Sequence, residues 1–187
     1  MTNNPLFFIA LLPPQELQSE ITQIKQYFSQ TYDSRHALKS PPHITLQPPF
    51  KWSISDLNTL EQCLTSFTQQ QNSFVVNLSG FNAFPPRVIY VDVVKTVELV
   101  NLQKNLVAHL ENHLERLKNP SKHHNFTPHM TVAFRDLTRK NFRAAWTEFK
   151  SKPIQYEFIA HQLTLLLHTG KHWHIQQEFA FGQLEPI

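Results

Sequence analysis

The chain has 187 residues, 41% hydrophobic, 12% aromatic and 17% charged, which is enough apolar mass for a folded core and the wrong composition for a disordered chain or a coiled coil. Seventeen basic side chains against fourteen acidic ones give a net charge of +3: a mild pull on anions such as phosphates, without the basic run that would grip duplex DNA. A single cysteine, Cys63, excludes an intrachain disulfide and a CxxC zinc site, and the longest apolar stretch, Leu6 to Leu12, is too short to span a bilayer. No charged segment precedes that stretch as a signal peptide would require, so a cytoplasmic protein, acting as a monomer away from membranes, is expected.

In chain order, Leu6 to Leu12 reads as a buried strand stopped by Pro13-Pro14, and Leu17, Ile21, Ile24 and Phe28 mark the apolar stripe of the helix that follows. Pro41-Pro42-His43-Ile44-Thr45-Leu46-Gln47 alternates like a half-buried strand. Ser55 is the expected N-cap of a second helix carrying Leu57, Leu60, Leu64 and Phe67. Strand patterns follow over Ser73 to Phe84 and Arg87 to Val94, joined at Pro85-Pro86. A third helix spaces Leu99, Leu102, Leu106, Leu110, Leu114 and Leu117, and a strand begins at Pro128-His129-Met130-Thr131-Val132. A fourth helix carries Phe142, Trp146 and Phe149, and strands run from Tyr156 to Leu167 and from His172 to Phe181 around a turn at Thr169-Gly170.

The order strand, helix, strand, helix, strand thus occurs twice. Leu6 and Val88 are 82 positions apart, and His43 and His129 are 86 apart. The expected architecture is a single α+β domain over residues 1–187, made of two similar lobes.

Matching strands carry matching motifs, His43-Ile44-Thr45-Leu46 and His129-Met130-Thr131-Val132, each after a proline. Residues two apart share a strand face, so each histidine points with its threonine and the apolar residues point to the other side. A pseudo-twofold between the lobes would gather two imidazoles and two hydroxyls around one anionic centre. Imidazole titrates near pH 6.5, so one ring can accept a proton while the other donates one. Displacement at a phosphodiester needs such a base and acid on opposite sides of phosphorus. Threonine hydroxyls suit the non-bridging oxygens. No metal or other cofactor is demanded, because the leaving sugar oxygen can be protonated directly.

On these motifs the sequence resembles the two-histidine (2H) phosphoesterase superfamily, specifically its bacterial RNA 2′,3′-cyclic phosphodiesterase or 2′-5′ RNA ligase-like group. Leu6-Phe7-Phe8-Ile9-Ala10, Arg87-Val88-Ile89-Tyr90-Val91 and Phe126-Thr127-Pro128-His129 extend the resemblance over nearly the whole chain. It implies a bilobal, pseudo-twofold fold in which two antiparallel sheets flank a central cleft with helices outside. It also implies hydrolysis of 2′,3′-cyclic phosphates of RNA ends or nucleotides to 2′-phosphates, with reversible 2′-5′ RNA ligation as an associated activity. His43 then matches the proton donor to the 3′ leaving oxygen and His129 the residue that activates water, while Thr45 and Thr131 match the phosphate-binding hydroxyls. The continuation Gln47-Pro48-Pro49-Phe50-Lys51-Trp52 departs from the shorter apolar strand end of many relatives and leaves the substrate within the family open. A rival expectation is a binding protein that holds an RNA end or phosphorylated ligand in the same cleft without turnover.

Further candidates for substrate contact are Arg135, which unbroken strand parity from His129 would turn toward the cleft, and the matching aromatics Phe8 and Tyr90. Lys51 and Arg87 are lone basic residues, more simply read as solvent-facing. His109 and His113 have the spacing of a helical metal pair, but no neighbour in sequence completes a ligand set, so a role at the helix C-terminus is the simpler reading. His168, His172 and His174 cluster around Gly170, while His36, His123, His124 and His161 follow no usable pattern.

Overall fold

Leu6–Leu11 (β1) is buried along almost its whole length, so its backbone polar groups need strand partners on both edges. They come from antiparallel neighbours, Ile44–Lys51 (β2) on one side and Gln162–His168 (β7) on the other. Trp173–Ala180 (β8) pairs with β7 and completes a four-stranded sheet in the order β2-β1-β7-β8. The second sheet repeats the plan: His129–Ala133 (β5), Val88–Val93 (β4), Phe74–Phe84 (β3) and Gln155–Ala160 (β6) lie in the order β5-β4-β3-β6. The computed structural model describes residues 4–114, 117 and 125–182.

The four helices are Gln15–Tyr32 (α1), Leu57–Thr68 (α2), Val97–His113 (α3) and Arg139–Phe149 (α4). Each buries an apolar stripe, and two are exchanged between the sheets: α1 contacts the second sheet through β5 and α3 the first through β2, while α2 stays with the first through β8 and α4 with the second through β4. One apolar core, running from Phe7 and Phe28 to Leu106 and Phe149, is therefore shared by both lobes. Thr96 and Thr138 cap α3 and α4 by accepting the N–H of Leu99 and Asn141.

Three local expectations change. Ser55 does not cap α2; Ser53 caps a preceding 3-10 turn, Ile54–Asp56, by accepting the Ser55 N–H. α3 ends at His113, although Leu114 and Leu117 stay buried beyond it. The expected strand from Tyr156 to Leu167 is two strands broken at His161, with β6 in the second sheet and β7 in the first. The core contacts show the reason: Phe158 and Ala160 join the main core from even positions, then Leu163 and Leu165 from odd ones while Leu166 packs with Phe8 and Ala10 on the other face, and a period-two strand cannot change phase without breaking. Because β7 and β8 return to the first sheet, the lobes are not consecutive halves of the chain.

β2 tolerates Pro48-Pro49 because it is an edge strand with a register irregularity there, where a missing N–H leaves no ladder bond unmade. Gly182, just beyond β8, donates its N–H to the carbonyls of Thr68 and Gln71 at the end of α2. A Cβ at this position would lie 2.2 Å from the Gln69 carbonyl oxygen. Gly182→Ala is expected to destabilise the fold by about 1–3 kcal/mol, which at this size lowers Tm by about 2–4 °C per kcal/mol in a thermal melt. Among the described residues no helix is long and apolar enough to cross a membrane.

Candidate active site

The edge strands β2 and β5 lie against each other, which brings the two His-x-Thr motifs together. In β2, Ile44 and Leu46 are buried toward the helices while Thr45 is half-buried on the opposite face; in β5, Met130 and Val132 are buried and Thr131 is half-buried. His43, Thr45, His129 and Thr131 all line one cleft of about 440 Å³ between the sheets. The strand parity read from the sequence and the pairing of the lobes both hold here.

The two imidazoles are held alike. His43 Nδ1 lies 2.7 Å from the Pro41 carbonyl oxygen, and His129 Nδ1 lies 2.7 Å from that of Thr127. A carbonyl only accepts, so each neutral ring carries its proton on Nδ1 and keeps Nε2 free for proton transfer. Each ring also rests on an aromatic of the neighbouring strand: Phe8 at 4.7 Å from His43 and Tyr90 at 5.1 Å from His129, centroid to centroid.

Their electrostatics differ. Burial, opposed by the bond to Pro41 and reinforced by the charge of Lys25, lowers the His43 pKa to about 4. Burial also lowers that of His129, but the Thr127 bond and the carboxylate of Asp92 act in the opposite direction. Asp92 stands opposite His129 across the β4–β5 pair, whereas the β1 residues facing the His43 motif are apolar, Ala10 opposite Thr45 and Leu11 opposite Ile44. The lobes thus share geometry but not charge.

The profile of the 2′-5′ RNA ligase superfamily matches residues 13–172, most of the chain and both motifs. The chain belongs to that superfamily. Curated members similar to it include a protein of Bacillus cytotoxicus named "putative phosphoesterase", 27% identical over 178 residues that cover 94% of this chain and 96% of its own. One of Geobacillus kaustophilus with the same description is 25% identical and covers 96% and 98%. Among solved structures, Escherichia coli LigT complexed with 3′-AMP superposes with a TM-score of 0.69 at 16% identity, and TT0787 of Thermus thermophilus with 0.68 at 18%; each alignment covers 97% of this chain and all of the other. The fold is the one these structures share.

The remaining candidates divide. Arg135 lines the cleft, but not by strand parity: β5 ends at Ala133, and Arg135 takes a left-handed backbone, φ 59°, after it. Its Nη1 donates to His36 Nε2 at 3.2 Å, so His36, for which the sequence showed no pattern, forms part of the cleft wall. Asp136 secures that wall by accepting from the backbone N–H groups of Arg35 and His36 and from the Ser34 hydroxyl. Phe8 lines the cleft, whereas Tyr90 lies beneath Phe84 and His129 and is not among the lining residues. The rim aromatics are Phe84, 40% exposed, and Trp173, packed edge-on against Phe8; neither stood out in the sequence. His168 lines the cleft, His172 and His174 line a neighbouring pocket, and His123 and His124 lie outside the described residues.

Away from the cleft, the fold supplies the third group that sequence neighbours of His109 and His113 lacked. Ligand atoms of Cys63, His109 and His113 all lie within 4.8 Å of one another. These groups already have other engagements: His109 Nε2 bonds the Cys63 carbonyl, His113 Nδ1 bonds the His109 carbonyl, and burial raises the Cys63 thiol pKa to about 11.

Proposed function

We propose that this superfamily member is a metal-independent phosphodiesterase that opens 2′,3′-cyclic phosphates at RNA or nucleotide ends in the cytoplasm, leaving a 2′-phosphate. The observation that carries the reading is the matched pair of Nδ1 bonds, which leaves two Nε2 atoms free in one cleft beside two threonine hydroxyls. The phosphate would lie between the imidazoles with its non-bridging oxygens on Thr45 and Thr131. Water attacks phosphorus as His129 Nε2 takes its proton, the bond from phosphorus to the 3′ oxygen breaks, and His43 Nε2 gives that oxygen a proton. With a 5′ sugar hydroxyl in place of water, the same forward steps join two ends through a 2′-5′ phosphodiester and free the 3′ hydroxyl, and their reversal cleaves that linkage. The free cleft places a proton more readily on His129 than on His43. A bound phosphate lifts both rings, so orientation toward the leaving oxygen decides which one donates. LigT has been solved with 3′-AMP, a ligand of the kind this cleft would take.

The test is incubation of purified protein with nucleoside 2′,3′-cyclic phosphates and 2′-5′ linked oligonucleotides in excess chelator, with ³¹P NMR of the products. Turnover to the 2′-phosphate is expected. Saturable binding with no product at any pH would instead leave a protein that only holds RNA ends.

A further inference from the structure

Lys25 occupies a position in the buried stripe of α1, between Ile21 and Phe28, where an apolar side chain is the rule. It is 1% exposed, and its Nζ donates to the Ser40 carbonyl at 3.1 Å. Burial lowers its pKa to about 7, and among the described residues no carboxylate compensates it. A buried ammonium without an acidic partner is costly unless an anion arrives.

Lys25 lines a pocket of about 270 Å³ together with Lys39, His172, His174 and Thr22, and among the described residues no acidic one contributes to its lining. Lys39, Ser40 and Trp173 line both this pocket and the catalytic cleft, so the two are adjacent and share a wall. Two lysines and two histidines, all able to donate N–H bonds to an anion, surround a space large enough for a phosphate next to a cleft that would take another, an arrangement suited to two linked anions.

We propose that this pocket is a second phosphate subsite, taking the 5′-phosphate of the nucleotide whose cyclic phosphate lies between His43 and His129. The inference rests on the function proposed above and narrows its substrate: the preferred ligand is the end of a strand, or a 5′-phosphorylated nucleotide, rather than a nucleoside 2′,3′-cyclic phosphate bearing no other charge. The surface beyond agrees with a continuing strand. Thr22 and Pro41 also line a neighbouring trough of about 430 Å³ whose other walls include Gln15, Gln18, Gln23 and Gln26, neutral amides suited to sugar and base edges.

Calorimetric Kd values for adenosine 3′-monophosphate and adenosine 3′,5′-bisphosphate, at one ionic strength, test the subsite without requiring turnover. The bisphosphate is expected to bind about 10-fold tighter or better to the wild-type protein, the yield of one or two charge-assisted hydrogen bonds. The ratio of the two constants should fall toward one in the surface variant His172→Gln/His174→Gln and in Lys25→Met, which keeps the buried stem. A wild-type ratio near one, with the monophosphate bound, overturns the subsite and leaves the proposed function standing. A ratio above one that both variants retain also overturns it, because the extra affinity would then be diffuse electrostatics. Failure of both ligands to bind overturns the cleft reading and the subsite together.

Discussion

His43→Ala and His129→Ala are each expected to lower kcat/KM for a nucleoside 2′,3′-cyclic phosphate by about 10²- to 10⁴-fold, the usual worth of a positioned acid or base. The two variants should differ on a phosphodiester with an aryl leaving group, which departs without a proton. There His43→Ala should recover most of its activity and His129→Ala should not, and the reverse outcome would exchange their roles. The pH profile follows from the shared environment. Catalysis needs one ring protonated and one neutral, and both pKa values lie below the usual 6.5, His43 near 4. kcat/KM should therefore rise as pH falls from 8 toward 6 and decline again near 4, with both limbs reporting the pair rather than either ring. Substrate charge raises both pKa values, so the kcat profile should sit at higher pH than that of kcat/KM. Stability has a definite sign as well: an unfolded histidine binds its proton near 6.5 and folded His43 only near 4. Its contribution is present above pH 6.5 and is lost as pH falls toward 4, which melts across that range will show as a falling Tm.

Thr45→Val and Thr131→Val, nearly isosteric, are each expected to lower kcat/KM by about 10²-fold, comparable to losing one donor to developing charge on an oxyanion. Neither hydroxyl belongs to the buried core, so Tm should move little, and thermal melts of the same preparations separate the chemical effect from unfolding. The double variant should lose more than either single one if the hydroxyls hold the same phosphate from two sides. A change below about threefold in both variants would mean that the phosphate is held elsewhere, by Arg135 for instance.

Much of the site was legible because it depends on short-range rules. A period of two places His43 with Thr45 and His129 with Thr131 regardless of the rest of the chain, and the duplicated spacing predicts that the strands meet. What escaped notice depends on contacts between distant segments. Arg135 was expected in the cleft but reaches it through its own left-handed backbone rather than by strand parity, and His36, which was not expected, joins the wall where Asp136, a hundred positions away, ties down its loop. Trp173 and Phe84 acquire their place at the rim from a strand end in each sheet. Lys25 did leave a signal, a lysine in phase with Leu17, Ile21 and Phe28, whereas the run Leu165-Leu166-Leu167, apolar on both strand faces, hid the break at His161. Cys63 could not be joined to His109 and His113 without the packing of α2 on α3.

The exchange of helices between the sheets bears on how a substrate gets in. Jaws that swing on a hinge need separate cores, but here α1 and α3 each cover the sheet of the opposite lobe, and β7 and β8 close the first sheet only after the chain has built the second. Swinging the lobes apart would peel both helices from their seats and expose the common core, a motion with the cost of unfolding rather than of breathing. A ligand therefore enters the cleft with the lobes as they stand, past a lining that includes Phe84 and Trp173. If the proposed RNA ends are the ligands, their capture costs no opening of the lobes, and the cleft is ready before the ligand arrives.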